Sequence, residues 1–346
     1  MADQRFMPDF DEEARELDAV VRRALRDAGG FDLVMRAESE PEVRTREIEP
    51  LLDSLGLLEL VPDAGEQELQ AAAAACRSAG AFALPYPLAE RVAGNMVAAH
   101  GTAGAALAVV DDRRAGRGGR FRVNMGDLPL DWWLAGTSGS LAPARADAAS
   151  GPRRGGRLGP FVADLIPGEP VPGSPVTLAL ALHLQIFTLL GMLESALELT
   201  VTHARERVQF GAPIIENQAV QHRLADAVTA MQMFEQQALY ALWSADRRRA
   251  GLLADVAAAR VAGLRAAEVV LRAGHQFHGA TGFCDEVAIS WISRHSQPLR
   301  RLPLNRPDTE RWFTDLVLAD GFDGLFPSTV PSLRKETSPR SGRAGR

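Results

Sequence analysis

Cysteine is almost missing from this chain. Only Cys76 and Cys284 occur, so no disulfide framework can hold the fold, and a reducing cytoplasm is the expected compartment. Positive charge is not in excess either: 38 Lys and Arg stand against 44 Asp and Glu, for a net charge of -6 and a pI near 5.7. That balance argues against a nucleic-acid binder working by broad phosphate neutralisation. Residues 1–13 are acidic and lack the basic-then-apolar order of a secretion signal. No repeat at solenoid spacing occurs.

What is present favours helix. The 346 residues are 46% hydrophobic, 24% charged and 6% aromatic, rich in Ala and Leu, with Arg preferred over Lys. This is enough chain for two domains, or for one large helical domain with an insertion. Residues 176–193 are almost wholly apolar and about long enough to span a bilayer. They carry His183 and Gln185 near their centre and run directly into the charged segment 194–207. We therefore expect the central helix of a large helical core and no membrane span.

Apolar residues at spacings of three and four mark helices over 9–28 (Ala14, Leu17, Val20, Val21, Leu25) and 44–56 (Ile48, Leu51, Leu52, Leu55). Two more are expected at about 65–79 and 87–100, completing a helical N-terminal part over 1–105. Between 106 and 173, Gly, Pro and Arg accumulate and the helical period disappears. Short apolar runs at 120–125, 132–135 and 161–166 predict strands of a reduced β-rich middle. Arg-Gly-Gly-Arg at 117–120 and 154–157 reads as solvated loop in an acidic protein. Long helices return at 175–207, 213–248 and 252–277, with shorter ones at 286–296 and 308–318. They predict an antiparallel four-helix bundle over 174–327. The Ser-, Pro-, Gly- and Arg-rich residues 328–346 predict a disordered tail.

Three motifs sit at the ends of the long helices. The first is Arg207-Val208-Gln209-Phe210-Gly211 followed by Pro213-Ile214. The second is Gln218-Ala219-Val220-Gln221-His222-Arg223-Leu224-Ala225-Asp226. The third is Gln276-Phe277-His278-Gly279-Ala280-Thr281-Gly282-Phe283, with Arg294 beyond it. In type and separation, over about 120 residues, these resemble the R-x-x-F-G, Q-x-x-x-x-x-L-A-D and Q-x-x-G-G-x-G-[FY] motifs of the acyl-CoA dehydrogenases. The order of helix, β-rich middle and antiparallel helices agrees with that family. The segment Leu55-Gly56-Leu57-Leu58-Glu59-Leu60-Val61-Pro62-Asp63 is similar to the family's first-domain turn. Residues 83–90 (Ala-Leu-Pro-Tyr-Pro-Leu-Ala-Glu) resemble a segment of divergent actinobacterial members acting on steroid side chains.

The chemistry of these positions suits a nucleotide. Arg207 offers a permanently charged planar fork for a pyrophosphate. Phe210 and Gly211 form a tight apolar turn, Gln218 and Gln276 each supply a donor and an acceptor, and Gly279 permits close backbone approach. The resemblance implies that Arg207, Phe210, Gln218, Gln276 and Gly279 grip the adenosine diphosphate end of an FAD whose flavin ring lies mainly in a neighbouring subunit. It assigns Arg294 to the acyl-CoA substrate.

The acyl-CoA dehydrogenase reaction needs a carboxylate to take a proton α to the thioester, a contribution of about 10² to 10⁴ in rate. The two positions the resemblance reserves for that base are Ala181 and Pro303 here; neither can take a proton. The flavin-lining T-E-P-x-x-G-S-D segment and W-I-T-N strand have no clear counterpart between Leu107 and Pro172. Trp132-Trp133 reads as strand packing. His275 and His278 have loosely metal-like spacing but no second cluster, so no metal is expected. Asp308 and Glu310 read as exposed acids opening a helix. The expectation is a cytoplasmic, heteromeric (heterotetramer-type) acyl-CoA dehydrogenase subunit: it grips FAD in trans, a companion chain supplies the catalytic Glu, and acyl-CoA binds near the interface. A flavin-independent homomeric dehydratase or cyclase on the same fold, or a non-catalytic structural partner, stays open at this stage.

Overall fold

The computed structural model describes residues 9–100, 104–114, 119–147 and 158–320. The tail at 328–346, the Arg-Gly-Gly-Arg run at 154–157 and the first half of the run at 117–120 lie outside the described residues. Helix α1 (Glu12–Asp27) begins at Asp11, whose carboxylate accepts the Ala14 amide at 2.7 Å, and it buries Ala14, Val21 and Leu25. Val20 does not join that stripe; it lies off the core face and is exposed. A glycine turn leads to α2 (Asp32–Ser39), an element too short for its period to have shown in the sequence. A π-turn over Arg44–Ile48 runs into α3 (Glu49–Ser54), and α4 (Glu66–Ala81) and α5 (Leu88–Gly94) complete the helical N-terminal part.

The middle is a sheet of β1 (Ala106–Val110), β2 (Phe121–Val123), β3 (Trp132–Gly136), β4 (Ser140–Ala146), β5 (Ala163–Pro167) and β6 (Val171–Pro172). Its order is β1-β3-β4-β5-β2, with β6 paired to β4. Only β1 and β3 run parallel, with Ala106 opposite Trp132. Strands β1, β4 and β6 were not expected. Strand β1 is buried along its whole length and β4 has a broken burial pattern, so neither shows the alternation of a half-buried strand. Trp132 and Trp133 point to opposite faces of β3, one into the sheet's own cluster and the other into the main core.

The chain then enters α6 (Pro175–Glu206), a short hairpin of β7 (Val208–Gln209) and β8 (Ala212–Pro213), α7 (Gln218–Asp246) and α8 (Leu252–His278). Helices α9 (Ala288–His295), α10 (Gln297–Arg301) and α11 (Arg306–Asp320) follow, α11 lying along α8 to make the fourth member of the bundle. The apolar stretch of α6 is long enough for a bilayer, yet 83% of it is buried inside the protein. Helices α4, α7 and α8 supply that burial, so its all-round apolarity serves a core.

The α4–α6 contact is made backbone to backbone. A Cβ on Gly80 would lie 2.0 Å from the Thr188 carbonyl oxygen, and one on Gly191 would lie 1.9 Å from that of Arg77. Ser195 Oγ adds a hydrogen bond to the Ala81 carbonyl at 2.7 Å. A second device ties the helical part to the middle: Arg44, 3% exposed, donates to Asp127 through Nη1 at 2.9 Å and Nη2 at 2.5 Å and lies 4.1 Å over the Phe161 ring. Such a buried, bidentate pair is costly to break from one side.

Replacing Gly191 by Ala forces α4 and α6 apart along their whole contact. We expect a loss of about 1–3 kcal/mol or more, the range of core overpacking, read as a lower midpoint in urea unfolding. A variant as stable as the wild type would show that the helices can separate without penalty.

Candidate functional site

The chain leaves α6 through Arg207, whose amide donates to the His203 carbonyl at 2.8 Å and whose own carbonyl accepts the Ile214 amide at 2.8 Å. These bonds hold the hairpin at a fixed angle to the helix end. At its tip, Phe210 and Gly211 have φ of 53° and 86°, the pair of positive values that a two-residue hairpin turn requires. Gly211 adopts this without cost, whereas Phe210 does not. Phe210 is also fully solvent-exposed, at 106%. A bulky aromatic residue held both strained and exposed contributes nothing to packing, and such an outlier points to a role in binding.

Beside the hairpin, Asn217 caps α7, its side-chain oxygen accepting the Ala219 amide at 2.8 Å. The positive end of the α7 dipole opens here, and no acidic residue occupies the helix's first turn. The last turn of α8 closes the other side. Between them lies a groove of about 540 Å³, walled by Phe210, Ile214, Glu216, Asn217, Val220, Arg223 and Gln276. One acid and one base, Glu216 and Arg223, thus share its wall. His203 stacks on His278 at 4.2 Å, and burial first, then the charges of His278 and Arg207, hold His203 below the usual imidazole range.

Of the residues singled out in the sequence, Phe210 and Gln276 both line the groove. Gln218 opens α7 between two residues that line it, and Arg207 is exposed at the hairpin's root. Gly279 ends α8 with φ 61° and ψ -136°, a conformation L-residues avoid, and no atom lies within 4 Å of where its Cβ would be. Its need for glycine within this chain is therefore conformational, and the space beside it is open. Arg294 does not line the groove. It sits on α9, bound to Asp285 at 2.7 Å and lying 4.1 Å over the Trp291 ring.

His275 Nε2 is 2.8 Å from Ser293 Oγ, and His278 Nδ1 is 2.9 Å from the Gly274 carbonyl oxygen. Among the described residues, no three His, Cys, Asp or Glu side chains converge as metal ligands would. Ala181 is fully buried in α6. Pro303 lies in a loop held by Arg260, whose buried guanidinium donates to the Leu299, Leu302 and Leu304 carbonyls at 3.1, 2.6 and 3.0 Å; burial pushes its pKa down to about 10. Glu310 is tied to Arg265 and Arg306 on the surface, and Asp308 bonds Asn305 and Arg311.

Three polar residues escaped the sequence reading. Asp112 gathers the Ser138 amide and hydroxyl, the Ser140 hydroxyl and Thr137, so the Gly-Thr-Ser-Gly run at 136–139 is a turn folded onto a carboxylate. Arg260 and Glu90 are the other two. Both are charged residues inside an apolar helical stripe, and that was their available signal, whereas Asp112 lies in a short turn after β1 and carried none.

The sequence profile of the acyl-CoA dehydrogenase C-terminal domain matches residues 183–302. The probable acyl-CoA dehydrogenase YngJ of Bacillus subtilis is 33% identical over 110 residues, 31% of this chain and 28% of its own length. The acyl-CoA dehydrogenase IpdE2 of Mycobacterium tuberculosis is 34% identical over 122 residues, 35% of this chain and 34% of its own. The chain thus spans about a third or less of the length of the curated relatives it matches. The ChsE4-ChsE5 complex from Mycobacterium tuberculosis superposes with a TM-score of 0.72 at 19% identity, over 91% of this chain and 99% of the matched one. Residues 183–302 belong to the acyl-CoA dehydrogenase family, as its C-terminal domain. The described chain has the family's fold, a helical part, a β-sheet and a helical bundle in that order.

Because Phe210 is strained and unpacked in the chain by itself, Phe210→Asn relieves the backbone at no cost in contacts. We expect the variant to match or exceed wild-type stability by up to about 1 kcal/mol in denaturant titration. A clear loss of stability would mean that the ring packs within the chain and is not held out for a ligand or neighbour.

Proposed function

We propose that this chain is a subunit of a flavin-dependent acyl-CoA dehydrogenase, an oxidoreductase that desaturates an acyl-CoA thioester between its α and β carbons. The observation that carries the reading is the asymmetry of its polar groups. The residues suited to a nucleotide gather at one exposed end of the bundle, around a groove of about 540 Å³. The positions expected to hold a base are a buried alanine and a proline.

The groove fits the adenosine diphosphate end of FAD. Arg207 and the α7 N-terminus would face the pyrophosphate, Phe210 would offer its ring to the adenosine, and Gln218 and Gln276 would bond its polar edges. FAD, when bound, accepts the hydride from the β carbon. With neither position able to take a proton, the proton-accepting carboxylate, and with it the flavin ring, is assigned to a companion chain, and this chain's part is to fix the nucleotide and complete the interface. The name of the ChsE4-ChsE5 complex, a two-chain assembly of the same fold, supports such a companion. The likeness of residues 83–90 extends the proposal to bulky, steroid-type acyl groups, bound near the interface with Arg294 as a substrate-binding residue. A cytoplasmic site of action accords with a chain of two reduced cysteines.

Co-expression with the product of a neighbouring acyl-CoA dehydrogenase gene is expected to give a yellow complex, and Arg207→Ala should weaken its flavin affinity about 10- to 100-fold, the worth of a charge-assisted hydrogen bond. Absorbance of bound flavin and its retention on dialysis measure this. Full FAD occupancy and thioester oxidation by the lone chain would sink the proposal.

A further inference from the structure

Helices α5, α6 and α10 and strands β1 and β2 meet at a narrow cleft that shares no lining residue with the nucleotide groove. Its walls are largely apolar: Ala108 and Val109 from β1, Val123 from β2, and Leu299 and Leu302 at the α10 end. Into it project two polar side chains from the helical layer, Glu90 of α5 and Gln185 of α6. Glu90 is 4% exposed, and its Oε1 accepts a hydrogen bond from Gln185 Nε2 at 2.9 Å. The remaining volume, about 10 Å³, admits roughly one water molecule.

The charged and titratable groups around Glu90 can be taken element by element. Helix α4 brings Cys76, whose thiol is kept neutral by burial and then by Glu90 itself. On α5, Arg91 turns away to the Ala105 carbonyl, 3.0 Å from its Nη1. Strand β2 brings Arg122, largely exposed and directed to Asp164. The residues of α6, β1 and α10 that line the cleft carry no charge. Arg260, buried on α8, donates to the Leu299 and Leu302 carbonyls at the cleft's α10 end; among the described residues no ion pair to Glu90 is formed, and one amide hydrogen bond does not offset the desolvation of a carboxylate.

We propose that Glu90 and Gln185 form a proton-operated latch on this cleft: with Glu90 neutral the sheet is closed against the helices, and ionisation of Glu90 opens the cleft to water. The two side chains come from separate helices of one layer, and Glu90 shares the cleft with residues of β1, β2 and α10, so hydrating its carboxylate requires those elements to part from the helices. Burial, the dominant influence, pushes the Glu90 pKa up to about 7, with its own backbone amide and Gln185 working in the opposite direction. The folded value lies above the ordinary carboxylate value of 4.5, so the closed state holds a proton that the open state releases. Closure is thus fully favoured below that ordinary value and is lost as the pH rises through about 7.

Hydrogen–deuterium exchange of the full chain at pH 5, 6, 7 and 8, corrected for the intrinsic rate of amide exchange, tests this. In peptides covering β1, β2 and α10, the opening constant of the wild type should rise about tenfold per pH unit between pH 5 and 7 and then level off. In Glu90→Gln, which keeps the shape of the neutral acid, it should be flat, with opening at pH 7 reduced about 100-fold. Equal slopes in the two proteins would overturn the proposal. Should Glu90→Gln fail to fold, infrared spectra of the wild type labelled with ¹³C-glutamate decide: a protonated glutamate band persisting at pH 6 upholds the latch, and its absence above pH 5.5 overturns it. The label keeps this band distinct from that of Asp255, another acid whose pKa burial raises. Neither Glu90 nor Gln185 touches the nucleotide groove, so the outcome does not depend on flavin.

Discussion

Helix α6 can lie where it does because Gly80 and Gly191 leave nothing between its backbone and that of α4. At that separation the two helices cannot slide or tilt without a carbonyl striking a Cα, so the crossing is set by sterics rather than by side-chain preference. Once α4 covers one side of α6, helices α7 and α8 can pack against the others. The same tactic recurs at Gly263, where a Cβ would lie 2.6 Å from the Phe234 ring. A helix walled in on all sides must be apolar all round, which accounts for a composition that would equally suit a membrane. Its rigidity also fixes the direction in which the chain emerges at Arg207.

The groove follows from that geometry. The end of α6, the start of α7 and the end of α8 come level because the three helices are of similar length and alternate in direction. The intervening hairpin is then the one piece that projects, with Phe210 at its tip. Phe210 and Arg207 are exposed there, a surface prepared for something outside the chain. The opposite holds where the sheet meets the helices. There Arg44 and Asp127 neutralise each other, Arg260 is spent on three carbonyls, and Glu90 has only an amide for company. The polar groups of one region are turned outward, and those of the other are consumed in holding layers together.

How far the sequence could be read depended on what each element buries. Helices with one apolar face, such as α1 and α7, declared themselves through their period, and the motifs at their ends were visible because Gly, Gln and Arg interrupt that period. The failures have physical causes. Strand β1 is buried along its whole length and has no alternation to read; α2 is two turns long; Val20 is apolar in composition but lies off the face that packs. Within the candidate site, Phe210 and Gln276 line one groove, whereas nothing local to Arg294 in the sequence shows that Asp285 and Trp291 occupy it.

The sequence alone determined which long segments are helical, roughly where they end, and that Ala181 and Pro303 cannot accept a proton, because these follow from residue type and spacing along the chain. Tertiary structure decided what distant residues do to one another. It brought Glu90 within 2.9 Å of Gln185 across 95 positions of sequence, gathered Phe210 and Gln276 around one groove, and left a narrow cleft beside the sheet. Contacts of that kind depend on which helix faces meet. Here they meet as they do because two glycines let α4 and α6 touch.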